Sequence, residues 1–162
     1  LHSTSRRQRQ MCIRDSTCRS VMAERIAKKK AKLRHIKNVK FSSCGILAKK
    51  ENITENAKNA LKELGYDGRD RKSVKLKVKP NVLYVTMTDS QKQSVNSKKC
   101  ISCSSLFKEV PDPYGQNQDI YRITALIIEK NIDILLDKLE NLRGEVWLLW
   151  QVTTEVTNLK NS

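Results

Sequence analysis

The stretch MCIRDSTCRSVMAERIAKKK, residues 11–30, decides how this chain is read, and it divides near Ser16. From Thr17-Cys18-Arg19-Ser20 the chain runs into Val21, Met22, Ile26 and Leu33, with alanines at 23, 27 and 31. That three-four spacing predicts an amphipathic helix with a lysine-rich outer face. A turn opening directly into a helix presents unpaired backbone N–H groups and the positive end of the dipole, which suits phosphate. Arg19 would add a bidentate fork matched to phosphate oxygens, and Ser20 a hydroxyl. The plainer reading of the same residues is a surface arginine beside a capping serine. Before Thr17 the pattern stops, and LHSTSRRQRQ, residues 1–10, carries neither strand nor helix periodicity.

At 162 residues the chain is most simply one domain with room for a substantial core. No apolar run approaches the ~18 residues of a membrane span. The longest, Val146-Trp147-Leu148-Leu149-Trp150, is strand-sized, and the first ten residues hold no apolar core of a secretory signal. The net charge of +15 would suit nucleic acid or an anionic membrane surface. The lysines are spread along the chain, however, and four tyrosines, two phenylalanines and two tryptophans leave little for base stacking. A solvated basic surface is the expectation, with no nucleic-acid or membrane partner, and its field would draw phosphorylated substrates. Five cysteines, at 12, 18, 44, 100 and 103, form no even framework and fit a reducing cytoplasm. Cys100 and Cys103 make a lone C-x-x-C that His2 and His35 do not complete into a zinc site. A redox pair and two incidental small residues both remain open for them.

Downstream, Val39–Ser43 alternates like a short strand that stops at Cys44-Gly45. A helix is expected over residues 56–64, with Thr54 as N-cap, Ala57, Ala60, Leu61 and Leu64 on one face, and Gly65 as its stop. Ser73–Val78 alternates polar and apolar. After Pro80, the continuous run Val82–Met87 suits a parallel strand buried on both faces. Asp89 and Ser90 could cap a short helix. Prolines and a glycine force order on Val110-Pro111-Asp112-Pro113-Tyr114-Gly115. A last helix is expected from Asp119 to Arg143, with Ile120, Ile123, Leu126, Ile127, Ile132, Leu135, Leu136, Leu139 and Leu142 on its apolar face and Gly144 ending it. Strands alternating with helices imply an open α/β sheet with helices on both faces, whose ligands sit beyond the carboxyl ends of the strands.

Taken in order, Cys18-Arg19-Ser20-x-Met22-Ala23-Glu24, Ser43-Cys44-Gly45, Tyr84–Thr88 with Gln91-Lys92, Asp112-Pro113-Tyr114-Gly115 and Asp119-Ile120-Tyr121 resemble the low-molecular-weight protein-tyrosine phosphatases. The similarity is strongest to their bacterial branch and spans roughly residues 17–143. It implies a flavodoxin-like open parallel sheet and phosphate removal from protein substrates through a phosphocysteine intermediate, with no metal or other cofactor. It also implies that Thr17, Cys18, Arg19 and Ser20 bind phosphate and that Arg19 clamps the transition state. Asp112 would serve as general acid and base. Tyr114 would wall the pocket by stacking, or simply pack. Thr17 matches the form found in bacterial protein-arginine phosphatases, which makes phosphoarginine a rival to phosphotyrosine.

The departure from the family pattern is abrupt. Its loop has the form C-x5-R-[ST], and counting back from Arg19 puts the nucleophile at Ile13. Asp15 stands where a glycine should approach phosphate, and Cys12 is one residue too far away. STSRRQRQ replaces the apolar strand expected before the loop. Residues 1–16 are therefore read as a non-native segment, such as translated adapter joined to a truncated gene, with the first strand lost or replaced. Residues 17–143 are the phosphatase-like domain and 144–162 a tail of uncertain origin. Catalysis by the chain as written is not expected. The alternatives are a thioredoxin-coupled arsenate reductase relaying through Cys100 and Cys103, and a non-catalytic phosphate-binding pseudophosphatase.

Overall fold

The computed structural model describes residues 2–37, 39–45, 52–72, 74–79, 82–95, 97–141, 150–152 and 154–158, with the backbone alone for 2–17 and 150–158. In chain order the elements are α1 (His2–Leu33), β1 (Val39–Ser43), α2 (Glu55–Glu63), β2 (Leu83–Thr86), α3 (Asp89–Ser94), β3 (Cys100–Ser102), a 3-10 turn (Cys103–Ser105), α4 (Gln118–Asn141), β4 (Trp150–Val152) and β5 (Thr154–Asn158). The architecture is α/β, as the sequence pattern implies.

β2 is the centre of the sheet. All four of its residues are buried, and they alternate between two cores. Leu83 and Val85 join the main cluster with Val21, Met22 and Ile26 of α1, Ala57 and Leu61 of α2, and Ile128, Ile132 and Leu135 of α4. Tyr84 faces the other way, with Val82, Val95 and Cys100. A strand covered on both faces needs apolar residues at every position, which explains the unbroken run in the sequence.

β2 pairs in parallel with β3, Val85 lying opposite Ile101. The strand order is β1-β5-β2-β3, with β4 also pairing with β2. β5 thus enters between β1 and β2 and runs antiparallel to β1, from Val39 opposite Asn158 to Ser43 opposite Thr154. This is a departure from an all-parallel sheet. The central slot lacks a strand from the start of the chain, and backbone groups exposed there must find partners elsewhere. Residues of the tail supply them.

The start of the chain holds the largest local correction. The expected turn at Thr17–Ser20 is absent, and those residues lie midway along the 32-residue helix α1. The physical reason is local. Neither glycine nor proline occurs before Gly45, so nothing interrupts a helix through the arginines and glutamines of residues 6–10. The helix ends at His35, whose φ of 55° is left-handed, with Ile36 N–H donating to Ala31 O at 2.9 Å. Leu33, expected on the apolar face, is exposed there.

Thr54 caps α2 as expected, its hydroxyl accepting from Ala57 N–H, and Gly65 follows with φ 82°. The cap of α3 is Thr88 rather than Asp89 or Ser90. On α4 the buried face is rotated from the one expected, because Ile123 and Leu126 are exposed while Tyr121, Thr124 and Asn131 are buried. The polar members of that face are satisfied. Thr124 donates to Ile120 O at 2.8 Å. Asn131 Oδ1 accepts from Phe107 N–H at 3.2 Å and Lys108 N–H at 3.4 Å, and its Nδ2 donates to Lys108 O at 2.9 Å. Asn131→Leu would leave those backbone groups without their buried partner. It is expected to lower unfolding free energy by about 2 kcal/mol, read from urea denaturation. Leu142, Gly144 and residues 146–149 lie outside the described residues.

Candidate active site

The site is built at the carboxyl end of β2. Val110, fully buried, donates its N–H to Met87 O at 3.0 Å and so fixes the following loop to the strand end. Its carbonyl accepts from Arg19 Nη1 at 2.6 Å, across 91 residues of sequence. One residue thereby joins β2, α1 and the loop that carries Asp112. Gln91 at the start of α3 closes the same strand end, its Oε1 accepting from Met87 N–H at 3.0 Å.

Beyond Val110 the loop turns tightly. Gln116 N–H donates to Pro113 O at 3.0 Å, and Gly115 has φ 74°, the left-handed conformation a turn of this kind assigns to glycine. Asp112 Oδ1 accepts from Tyr114 N–H at 3.1 Å. Residue 112 as a whole is exposed, while the protein packed against one side of its carboxyl partly desolvates that group. That burial pushes its pKa up to about 6, outweighing the Tyr114 N–H bond that lowers it. A carboxyl in this range is a proton donor at mildly acidic pH and a base above it.

Arg19 and Ser20 are both buried, at 4% and 1% exposure. Cys18, equally buried, directs its thiol at Thr54 Oγ1, 3.9 Å away. Tyr121 of α4 completes the group. Burial raises its phenol, a hydrogen bond with Thr54 lowers it, and Cys18, Asp112 and Tyr114 lie close enough to raise it further. The fold therefore brings Cys18, Arg19, Ser20, Asp112 and Tyr114 to one end of the sheet, although α1 and the Asp112 loop are remote in sequence. The side chains of Ile13 and Thr17 lie outside those described.

The sequence reading underestimated two participants. Thr54 is legible as a helix cap, yet it also meets Cys18 and Tyr121. The carbonyl of Val110 carries no side-chain signal at all. A third observation concerns the C-x-x-C pair. Cys100 and Cys103 are free and buried, and burial pushes the Cys103 thiol up to about 12 even with Arg19 pulling it down. Among the described residues no group of histidines, cysteines and carboxylates is placed to hold a metal ion.

The family model for low molecular weight phosphotyrosine protein phosphatase matches residues 10–145, most of the chain. The chain belongs to that family. Among solved structures it is similar to the low molecular weight protein tyrosine phosphatase from T. tengcongensis, with 30% identity over 76% of this chain and 93% of the other, at a TM-score of 0.69. It is also similar to a cysteine-to-serine mutant of the YwlE arginine phosphatase carrying a phosphorylated active-site serine, with 28% identity, 79% and 92% coverage and a TM-score of 0.70. The YwlE arginine phosphatase from Geobacillus stearothermophilus is 25% identical, with 80% and 90% coverage and a TM-score of 0.69. No curated protein sequence matches the chain.

Proposed function

We propose that this chain carries the acid and clamp half of a cysteine-dependent protein phosphatase, acting on phosphotyrosine or phosphoarginine, without the nucleophile that would complete it. The observation that carries the reading is the Arg19–Val110 bond. It holds a guanidinium beside the loop of Asp112, a carboxyl poised near 6. In this reading Arg19 and Ser20 hold phosphate oxygens, Asp112 protonates the leaving group and later activates water, and Tyr114 walls the pocket. Transfer through phosphorus needs fixed positive charge more than covalent assistance, which suits an arginine held by a backbone carbonyl. The buried thiols of Cys18, Cys44, Cys100 and Cys103 suit a reducing cytoplasm. Among the described residues no helix is long and apolar enough to cross a membrane.

Two features speak against turnover by the chain as written. Ile13 has no nucleophilic atom. The amides of residues 17–20 fall within α1, where each donates to a carbonyl four residues back, so they are not offered to a phosphate. The first favours the non-catalytic phosphate binder as the second reading, while the second leaves phosphate binding to the side chains of Arg19 and Ser20 in either reading. The arsenate reductase reading loses ground to the Cys103 thiol, because at about 12 almost none of it is thiolate at neutral pH.

The test is restoration. Residues 5–12 are replaced by an apolar alternating strand, and I13C, R14T, D15G and S16N are introduced, leaving Thr17 onward untouched. The expected outcome is hydrolysis of a phenyl phosphate where the parent chain shows none. A restored protein that folds, by circular dichroism and a cooperative urea transition, yet shows no turnover would remove the assignment.

A further inference from the structure

A cavity of about 590 Å³ opens at the other end of α1, between that helix and β1. Half-buried Ile36 and Val39 give it an apolar floor, and its rim carries Lys28, Lys32, Lys37 and Lys40. No acidic residue lines it among the described residues. This lack of acids is local, because the neighbouring stripe of α1 is neutralised. Lys30 binds Asp133 at 2.8 Å and Arg34 binds Asp137 at 2.6 Å, both on α4. Lys28 is tethered to Glu24 at 2.5 Å. Lys32, Lys37 and Lys40 are exposed, and among the described residues no hydrogen-bond or ion-pair partner is found for the side-chain ammonium group of any of them.

We propose that this groove docks an acidic segment of a partner protein, with an apolar side chain on Ile36 and Val39 and flanking carboxylates on Lys32, Lys37 and Lys40. The volume falls within the ~300–1,000 Å³ of small-ligand sites, enough for an anchoring side chain and its neighbours. The three cations come from the helix, its exit and the strand, three separate segments that an extended acidic chain can meet together. Ile36 and Val39 are half-buried, which leaves too little apolar surface to enter a bilayer. The aromatic ring present, Phe41, is 3% exposed and offers no face for a base to stack on. A second copy of this chain, at net charge +15, is repelled as a partner, while an acidic protein is steered towards it. At ~1.5 Å per helical residue the groove begins roughly 14 Å from Arg19 at Lys28 and reaches roughly 20 Å at Lys32, so docking and phosphate binding are separate events. The proposal holds whether or not the site near Asp112 turns over phosphate.

The test uses the full chain and a fluorescein-labelled peptide of glutamates interrupted by leucines, followed by fluorescence anisotropy. The variant K32E/K37E/K40E is expected to bind at least about tenfold more weakly. A control of equal charge change, K98E/K108E/K138E, is expected to bind within about twofold of the parent. K32Q/K37Q/K40Q, which keeps the surface free of new repulsion, should fall between them. An all-glutamate peptide of the same charge should bind more weakly than the leucine-containing one. Equal loss in the groove variant and the control would overturn the proposal by assigning binding to bulk charge. Equal binding of the all-glutamate peptide, or displacement by single-stranded DNA of matched charge as readily as by unlabelled peptide, would overturn it as well.

Discussion

In the restored chain, with I13C, R14T, D15G and S16N behind an apolar strand, D112N is expected to lower turnover of a phenyl phosphate by about 10²–10⁴-fold, the usual contribution of a positioned general acid. The expectation rests on the loop around that carboxyl. Val110 is bonded on one side to Met87 O and on the other to Arg19, so Asp112 is held two residues from a fixed point. Its pKa, pushed up to about 6 by burial, keeps the acid form available in mildly acidic solution. Turnover of substrates with poor leaving groups should therefore fall as pH rises through about 6, and that limb should vanish in D112N. The same shift has a stability consequence that the chain as written can show. The folded pKa of about 6 lies above the ~3.9 of an unfolded aspartate. Between those values the folded state binds more protons than the unfolded state, so stability declines as pH rises from about 4 to about 6 and levels off above. D112N lacks this decline. Urea midpoints measured across that window should diverge in favour of D112N, and parallel profiles would falsify the placement of the carboxyl.

Glu24→Ala should be strongly destabilising, lowering unfolding free energy by about 3 kcal/mol, the low end for removing one partner of a buried ion pair because Arg71 is 27% exposed. Glu24 is 1% exposed within α1. Its Oε2 accepts from Ser43 Oγ at the end of β1 and from Arg71 Nη1 in the loop after α2. Its Oε1 accepts from Lys28 Nζ at 2.5 Å. Removing the carboxylate strands Arg71, whose own pKa burial already lowers, and leaves the Ser43 hydroxyl without its acceptor. Against a total stability of about 5–15 kcal/mol, such a loss would expose the chain to unfolding at moderate temperature. The pair variant E24L/R71M should recover much of the loss, because well-packed apolar residues can replace a buried pair at little cost. If E24A unfolds at the same urea concentration as the parent, the carboxylate is not the tie between α1, β1 and the Arg71 loop.

The two effects differ in how far the sequence announces them. Asp112 between two prolines, ahead of Tyr114 and Gly115, is conspicuous as a residue type in an ordered loop. Glu24 stands at the end of the Cys18–Glu24 motif, but only the packing of β1 and the loop of Arg71 around it shows that it is buried. The apolar face of α4 teaches the same lesson. Ile123 and Leu126 fit the periodicity yet face solvent, while Asn131 is buried where its amide satisfies the backbone of residues 107 and 108. A residue's polarity does not reveal which backbone groups will need it.

From residues alone one could read the α/β class, the span of β1, the cap of α2, the doubly buried strand β2 and the family motifs from Cys18 to Tyr121. Each follows from interactions within a few residues, or from a pattern forced by burial on one or two faces. The tertiary structure decided that Arg19 is held by the carbonyl of Val110 and that Asp112 is desolvated. It also decided that the chain's tail lies in the central slot of the sheet. It overturned the turn at Thr17–Ser20, because a stretch without glycine or proline continues as helix whatever phosphate would require. Those outcomes depend on which distant groups meet at the end of β2, and a contact across 91 residues leaves no trace in local periodicity.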